Sequence, residues 1–143
     1  SISAGGSPWG CQGEIGTSTL IGSGLNNTTT MLNANTIEEI QPYCIEGGGN
    51  PMESSIGDTT AAWLTYYSNE GGYTDWYLPS KDELDMMYVN LHLQGLGGFA
   101  NNYYWSSTEY DILNAWFQNF ASGYQDGGNK ASSYVVVRAV RAF

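Results

Sequence analysis

The stretch NNYYWSSTEYDILNAWFQNF, residues 101–120, carries seven aromatic side chains in twenty positions. Asn, Ser and Thr separate the rings, and the two charged residues of the stretch are both acidic. Its two halves, YYWSST and NAWFQNF, predict two β-strands joined by a turn. We expect Trp105, Phe117 and Phe120 to belong to the core, and polar rings in the turn, such as Tyr110, to face solvent.

The segments that follow predict further strands. GYQDGG and SYVVVRAVRAF are rich in aromatic or β-branched residues, as strands are. Between them, DGGN at residues 126–129 is typical of a hairpin turn. The last run is the most apolar of the set, which predicts a central strand.

Two helices are predicted before the aromatic stretch. In DWYLPSKDELDMMYVNLHLQGLGG, residues 75–98, Ser80 and Glu83 have the spacing of a capping box. An apolar stripe with helical spacing follows, and Gly95 ends the helix. The stripe consists of Leu84, Met87, Tyr88 and Leu91. The earlier segment TTAAWLTYYSNEGG predicts a helix capped by Thr59 or Asp58 and stopped at Gly71–Gly72.

The amino-terminal third is rich in Gly, Ser, Thr and Asn. It predicts loops with one short helix at residues 26–34, then a surface loop at residues 36–58 that contains three consecutive glycines. Loops, two helices and then an antiparallel sheet indicate an α+β fold. A chain of 143 residues suits one domain, which we expect to span residues 1–143.

Composition excludes several classes of partner. Fourteen acidic residues against four basic ones give a formal charge of −10. This charge argues against nucleic acid and against an anionic membrane surface. No run of eighteen apolar residues is present that would insert in a membrane. The low share of charged residues, 13%, is typical of extracellular, turn-rich domains. Cys11 and Cys44 either form a disulfide that closes a loop of about 33 residues or remain two buried thiols.

Catalytic chemistry has little support in the sequence. The single histidine, His92, has no local link to the hydroxyls at residues 106–108. Glu109 and Asp111 alternate, so on a strand they would share a face and could form the carboxylate pair of a glycoside hydrolase. Calcium would need six to eight oxygen ligands, and Asp126 with Asn129 could supply some of them. We expect a non-catalytic chain without a cofactor, with calcium left open.

A glycan-binding surface is the favoured alternative. Aromatic rings stack on the C–H faces of sugars, while amides and carboxylates pair with the hydroxyls. The candidates in or beside the predicted turns and strands are Tyr110, Asp111, Asn114, Trp116, Gln118, Tyr124 and Gln125.

Four ordered segments carry a family resemblance: DWYLPSKDEL, GGFANNYYWSSTEYD, NAWFQNF and YVVVRAVRAF. In this order they resemble the C-terminal domain family of the Legionella collagen-like protein, and the match extends over most of residues 9–143. The resemblance implies a fold similar to C-type lectins and formylglycine-generating enzymes, with two helices packed on a twisted antiparallel sheet and long irregular loops. It also implies a homotrimeric adhesin at the tip of a collagen-like surface fibre, which binds sulfated glycosaminoglycans.

The negative charge of this chain conflicts with the expectation of a sulfated glycosaminoglycan ligand. A trimer would carry a formal charge of −30, which opposes a polyanionic ligand. Lys130 lies in the predicted turn, and the three Lys130 side chains of a trimer could offset this repulsion if they lie together near the trimer axis. Arg138 and Arg141 are three apart on the predicted last strand, so we expect them to point to opposite faces. The prediction is therefore an extracellular, glycan-binding adhesin, with a trimerising fibre cap that has no ligand as the alternative.

Overall fold

The structure is a computed structural model that describes residues 6–34 and 60–142. In these described residues, three α-helices precede a three-stranded antiparallel sheet of order β1-β2-β3, which confirms the predicted α+β class. The helices are α1 (Gly24–Asn33), α2 (Ala61–Tyr66) and α3 (Lys81–Asn90), and the strands are β1 (Tyr103–Glu109), β2 (Asn114–Asn119) and β3 (Gln125–Asn129). Within the described part of the chain, no helix is long and apolar enough to cross a membrane.

Helix α3 begins as its sequence predicts. The Ser80 hydroxyl accepts the Glu83 backbone N–H, and the Glu83 carboxylate accepts the Ser80 N–H at 2.7 Å, so both halves of the capping box form. Leu84 and Met87 then point into a core cluster. The α-helix ends at Asn90, and a short 3₁₀ turn carries the chain on to Gly95.

The two other helices differ from the predictions at their ends. Helix α1 begins two residues earlier than predicted, at Gly24. The cap of α2 is Thr60, whose side chain accepts the Trp63 N–H, while the predicted capping residues 58 and 59 lie outside the described residues. Helix α2 also ends at Tyr66, well before the predicted stop at Gly71.

The sheet separates two hydrophobic clusters. Trp105 pairs with Phe117 across β1 and β2, and this face packs with Trp9, α1 and α2. Tyr104 lies on the opposite face and packs with Phe120 and the apolar side of α3. The three aromatic residues predicted to be core therefore are core, although Phe117 is only half-buried.

The predicted turn at residues 126–129 is wrong, because these residues belong to β3. The chain reverses earlier, where Gly123 donates to the Asn119 carbonyl at 2.7 Å and has a φ of 81°. Gly127 and Gly128 are instead close-approach positions. A Cβ at Gly127 would lie 2.7 Å from the Tyr110 ring, so the glycine lets that ring cover the strand.

The predicted central strand at the carboxyl end is also wrong. Val136 pairs with Tyr104 and Val140 pairs with Tyr77, but each forms only an isolated bridge. The run bonds to several partners in turn, since Val135 accepts the Ser7 N–H while Val136 exchanges hydrogen bonds with the β1 backbone. No neighbouring segment runs alongside it over enough consecutive residues to form a ladder of hydrogen bonds.

Candidate ligand-binding surfaces

The buried lysine overturns one predicted site residue. The side chain of Lys130 is 0% exposed, and its ammonium donates to the Gly13 carbonyl and the Glu109 carboxylate, each at 2.8 Å. The ammonium also lies 4.8 Å from the centre of the Trp9 ring. Burial lowers the pKa of Lys130, and Glu109 partly offsets that effect. The prediction that Lys130 faces a ligand is wrong, because its side chain points into the protein, where Gly13 and Glu109 accept its hydrogen bonds.

Glu109 is held by the amino-terminal segment. Its two carboxylate oxygens accept the backbone N–H groups of Ile15 and Gly16, at 2.8 and 2.7 Å, in addition to Lys130. β1 ends at Glu109, so Asp111 lies in the following turn and shares no strand face with it. Both carboxylates of the pair considered for a hydrolase therefore accept hydrogen bonds that organise the fold.

The turn between β1 and β2 is built by its own polar residues. The Asp111 carboxylate accepts the backbone N–H groups of Leu113 and Asn114, both at 2.8 Å, and the Asn114 side-chain amide at 3.0 Å. These hydrogen bonds, that of the Asn114 side chain first, lower the pKa of Asp111. Asp111 and Asn114 therefore lie side by side, with much of their hydrogen-bonding capacity used in the turn.

The hydroxyls of residues 106–108, considered above as candidate nucleophiles, are structural. Ser106, Ser107 and Thr108 are buried. The Ser106 hydroxyl donates to the Trp116 carbonyl, and the Thr108 hydroxyl donates to the Ser18 carbonyl, each at 2.8 Å. His92 packs against the rings of Tyr88 and Phe120 at 5.6 and 5.2 Å.

Within the described residues, no three His, Cys, Asp or Glu side chains are placed to hold a metal ion. Asp126, one of the two oxygen donors considered for calcium, instead accepts the Tyr124 hydroxyl at 2.8 Å. That hydrogen bond, together with one from the Gly127 N–H, lowers the pKa of Asp126.

Tyr110, Trp116 and Lys81 form a surface that we call the aromatic shelf. The Tyr110 and Trp116 rings lie 4.7 Å apart at 57°, and the Lys81 ammonium lies 4.8 Å from the Trp116 ring centre. Tyr110 is 50% exposed and Trp116 is half-buried. Because Gly127 has no side chain, the Tyr110 ring lies directly on β3 and holds Trp116 from one side.

Two predicted glutamines hold the sheet to α3 rather than facing solvent. Gln118 is 0% exposed and donates to the Asp85 carboxylate at 2.8 Å and the Gly123 carbonyl at 3.1 Å. Gln125 is half-buried and donates to the Lys81 carbonyl at 3.1 Å. Gln118 is therefore wrong as a ligand-contacting residue, because its amide is satisfied inside the protein.

Tyr124 is exposed, as predicted, and it lies just before β3. Its hydroxyl donates to Asp126, which raises the pKa of Tyr124, and Tyr110 contributes to that rise. The predicted site residues thus divide between the surface and the interior.

A second surface, which the sequence did not predict, is a groove of about 620 Å³ between α3 and the carboxyl-terminal run. We call it the arginine groove. Its main side chains are Tyr73, Trp76, Leu91, Phe99, Arg138 and Arg141. The two arginines line the same groove, against the prediction of opposite faces, because the run that carries them is not a regular strand.

The two arginines of the groove have different partners. Arg141 donates to both oxygens of Asp75, at 2.8 and 3.0 Å, and its guanidinium lies 3.6 Å from the centre of the Tyr73 ring. That ion pair lowers the pKa of Asp75. Arg138 lies 4.4 Å from the centre of the Phe99 ring and donates to the Gly97 carbonyl. No carboxylate of the described residues is within ion-pair distance of Arg138.

The amino-terminal segment is fixed by a disulfide. Cys11 is buried and disulfide-bonded. Cys44, the other cysteine of the chain, lies outside the described residues.

Comparison with known proteins identifies a family. No curated protein matches the chain. The family model of the Lcl C-terminal domain matches residues 28–141, which is most of the sequence and contains three of the four segments of the resemblance whole and the fourth up to residue 141. The chain therefore belongs to the Lcl C-terminal domain family.

Proposed function

We propose that this chain is a non-catalytic, extracellular adhesin domain that binds glycans by contact, and that it does so at the aromatic shelf. The observation that carries the proposal is the Tyr110–Trp116 ring pair, which leaves a half-exposed tyrosine beside a tryptophan at the tip of the sheet. Rings with a polar tip are suited to surfaces that remain partly wet. The Asp111–Asn114 turn and the Lys81 ammonium provide polar groups at the edge of the shelf.

The extracellular location is supported by the oxidised Cys11, because disulfides persist in oxidising compartments. By analogy with its family, the domain would be a homotrimer at the end of a collagen-like stalk, with a C-type-lectin-like arrangement of its helices and sheet. A shallow site of this kind binds weakly, so adhesion would depend on several shelves engaging at once.

The experiment is glycan-array binding by chain displayed at high density, with Tyr110→Ala and Trp116→Ala as the test variants. We expect at least a tenfold loss of apparent affinity for either variant, which corresponds to about 1.4 kcal/mol. Tyr134→Ala is the matched control, since Tyr134 is 86% exposed and belongs to neither surface. Folding is checked by circular dichroism. The proposal would be refuted if the chain bound no glycan on the array, or if the shelf variants bound as tightly as the unmodified chain.

A second candidate function, a trimerising fibre cap without a ligand, is favoured by apolar side chains left on the surface. Leu20, Ile21, Met86 and Leu93 are each between 45% and 65% exposed. Ile21 and Met86 line the same pocket, and a contiguous exposed apolar patch is typical of a subunit interface. Light scattering of Ile21→Ser would test it. A trimer that dissociates, with adhesion unaffected by the shelf variants, would favour the cap over the adhesin.

A further inference from the structure

The arginine groove has the composition of a ligand site. Its volume of about 620 Å³ lies in the range of small-molecule pockets, and its walls are mainly apolar and aromatic. Tyr73 is 49% exposed, and Trp76 and Phe99 are half-buried, so ring surface remains open to a ligand. The Trp76 indole N–H is already bonded to the Glu70 carbonyl at 3.1 Å, which fixes that ring as a wall of the groove.

Arg138 is the cation of the groove that has no ion-pair partner among the described residues. A guanidinium has five N–H donors and stays protonated at every accessible pH. The hydrogen bond to Gly97 uses one side of the fork, and the Phe99 ring supports one face. With no carboxylate of the described residues paired to it, Arg138 is a cation whose remaining donors are available.

Arg141 is not a second site of the same kind. Asp75 already accepts two hydrogen bonds from it, so the pair is close to neutral and stacks on Tyr73. Glu70 adds a carboxylate to the groove lining. The two carboxylates balance the two arginines in formal charge, but Arg138 is not in direct contact with either of them, so its guanidinium remains open to an anionic group next to the apolar rings.

We infer that the arginine groove binds a single sugar residue that carries one carboxylate. The carboxylate would pair with the planar fork of Arg138, which suits bidentate contact. The sugar ring would lie on Phe99 and Trp76. A densely charged polyanion fits less well, because the surrounding chain repels it while the groove attracts only one negative group. The inference rests on the proposed function only in taking the ligand to be a carbohydrate, and it does not involve the aromatic shelf.

The test is titration of the chain with methyl β-glucuronide, followed by the NMR signals of the tryptophan indoles. The neutral methyl β-glucoside has the same ring, acetate has the charge without the ring, and glucose 6-sulfate has a different anion. We expect the Trp76 indole signal to shift with the glucuronide, and at least tenfold weaker binding of the glucoside, acetate and the sulfate ester. Arg138→Gln should weaken glucuronide binding at least tenfold, and Arg138→Lys should weaken it less.

The controls separate this site from the shelf. Tyr110→Ala and Lys81→Gln should leave glucuronide binding unchanged, whereas Arg138→Gln should leave shelf-dependent glycans on an array unchanged. Equal binding of glucuronide and glucoside would overturn the inference, as would equal binding of glucuronide and acetate or of glucuronide and the sulfate ester. If Arg138→Gln does not fold, the titration of the unmodified chain still tests the inference. A Trp76 indole signal that does not shift at saturating glucuronide would show that the ligand does not bind in the groove.

Discussion

Replacing Lys130 by Met should be among the most destabilising single changes in this protein. Methionine keeps most of the volume of the side chain but removes the ammonium that bonds to Gly13 and Glu109. The Glu109 side chain is only 10% exposed, so its carboxylate would remain nearly buried without its cation. Removing one member of a buried ion pair costs about 3–5 kcal/mol. We expect about 3 kcal/mol, because the Ile15 and Gly16 N–H groups still stabilise the carboxylate.

The assay is equilibrium unfolding in urea, followed by tryptophan fluorescence. A domain of this size loses roughly 2–4 °C of melting temperature for each kcal/mol, so thermal melts should fall by roughly 10 °C. Lys81→Met is the matched control, because Lys81 is partly exposed and its ammonium lies 4.0 Å from Asp82. Surface pairs of that kind contribute about 0–1 kcal/mol.

A double-mutant cycle tests the cause. Glu109→Gln alone should also destabilise the protein, because it leaves a buried ammonium without its carboxylate. The double variant with Lys130→Met should lose less than the sum of the single changes, with a coupling of about 1–3 kcal/mol. A loss below about 0.5 kcal/mol for Lys130→Met, or additivity in the cycle, would refute the account of a buried pair that holds the amino-terminal segment to the sheet.

Three further changes test other parts of the fold. Ser80→Ala should cost about 1–2 kcal/mol in urea unfolding, because it removes the α3 cap and the hydrogen bond to the Leu20 carbonyl; a loss under about 0.3 kcal/mol would contradict this. Gly127→Ala should cost about 1–3 kcal/mol and weaken the near-ultraviolet dichroism of the Tyr110–Trp116 pair, since its Cβ would meet the Tyr110 ring; an unchanged spectrum would count against the packing described. Arg141 lowers the pKa of Asp75, so the unfolded chain binds a proton at this residue at a higher pH than the folded protein does, and the free energy of unfolding falls as the pH drops below about 4. Asp75→Asn should lose less stability than the unmodified chain over this pH range. If the two curves of stability against pH are parallel, the ion pair does not contribute as described.

Much of the fold could be predicted from the sequence where the signal is local. The capping box at Ser80 and Glu83 is a four-residue pattern, and it forms as expected. The strands β1 and β2 follow from residue types alone. The errors lie where a distant partner decides the structure. Gly127 is a residue type common in turns, but here its lack of a side chain leaves room for the Tyr110 ring, which lies seventeen positions earlier in the chain.

The candidate site was harder to predict for the same reason. Sequence reasoning found Tyr110 and Trp116, which come together because a short turn joins their strands. It assigned Gln118 and Lys130 to the surface, although partners far along the chain bury both. No local pattern pointed to the arginine groove, whose walls come from three separated segments of the chain.

The use of the four basic residues bears on what this acidic chain can bind. Lys130 is internal, Arg141 is joined to Asp75, and Lys81 lies over Trp116 near Asp82. Only Arg138 lacks a carboxylate within the described residues, although acids outnumber bases fourteen to four.

Salt should therefore act differently on two kinds of ligand. Repulsion of a polyanion by the whole chain is long-ranged and is screened over about 8 Å at physiological ionic strength, so salt would relieve it. A single carboxylate in contact with Arg138 interacts at short range beside apolar rings, where screening is weaker. A chain of this charge is accordingly better suited to select isolated acidic sugars than densely charged polymers.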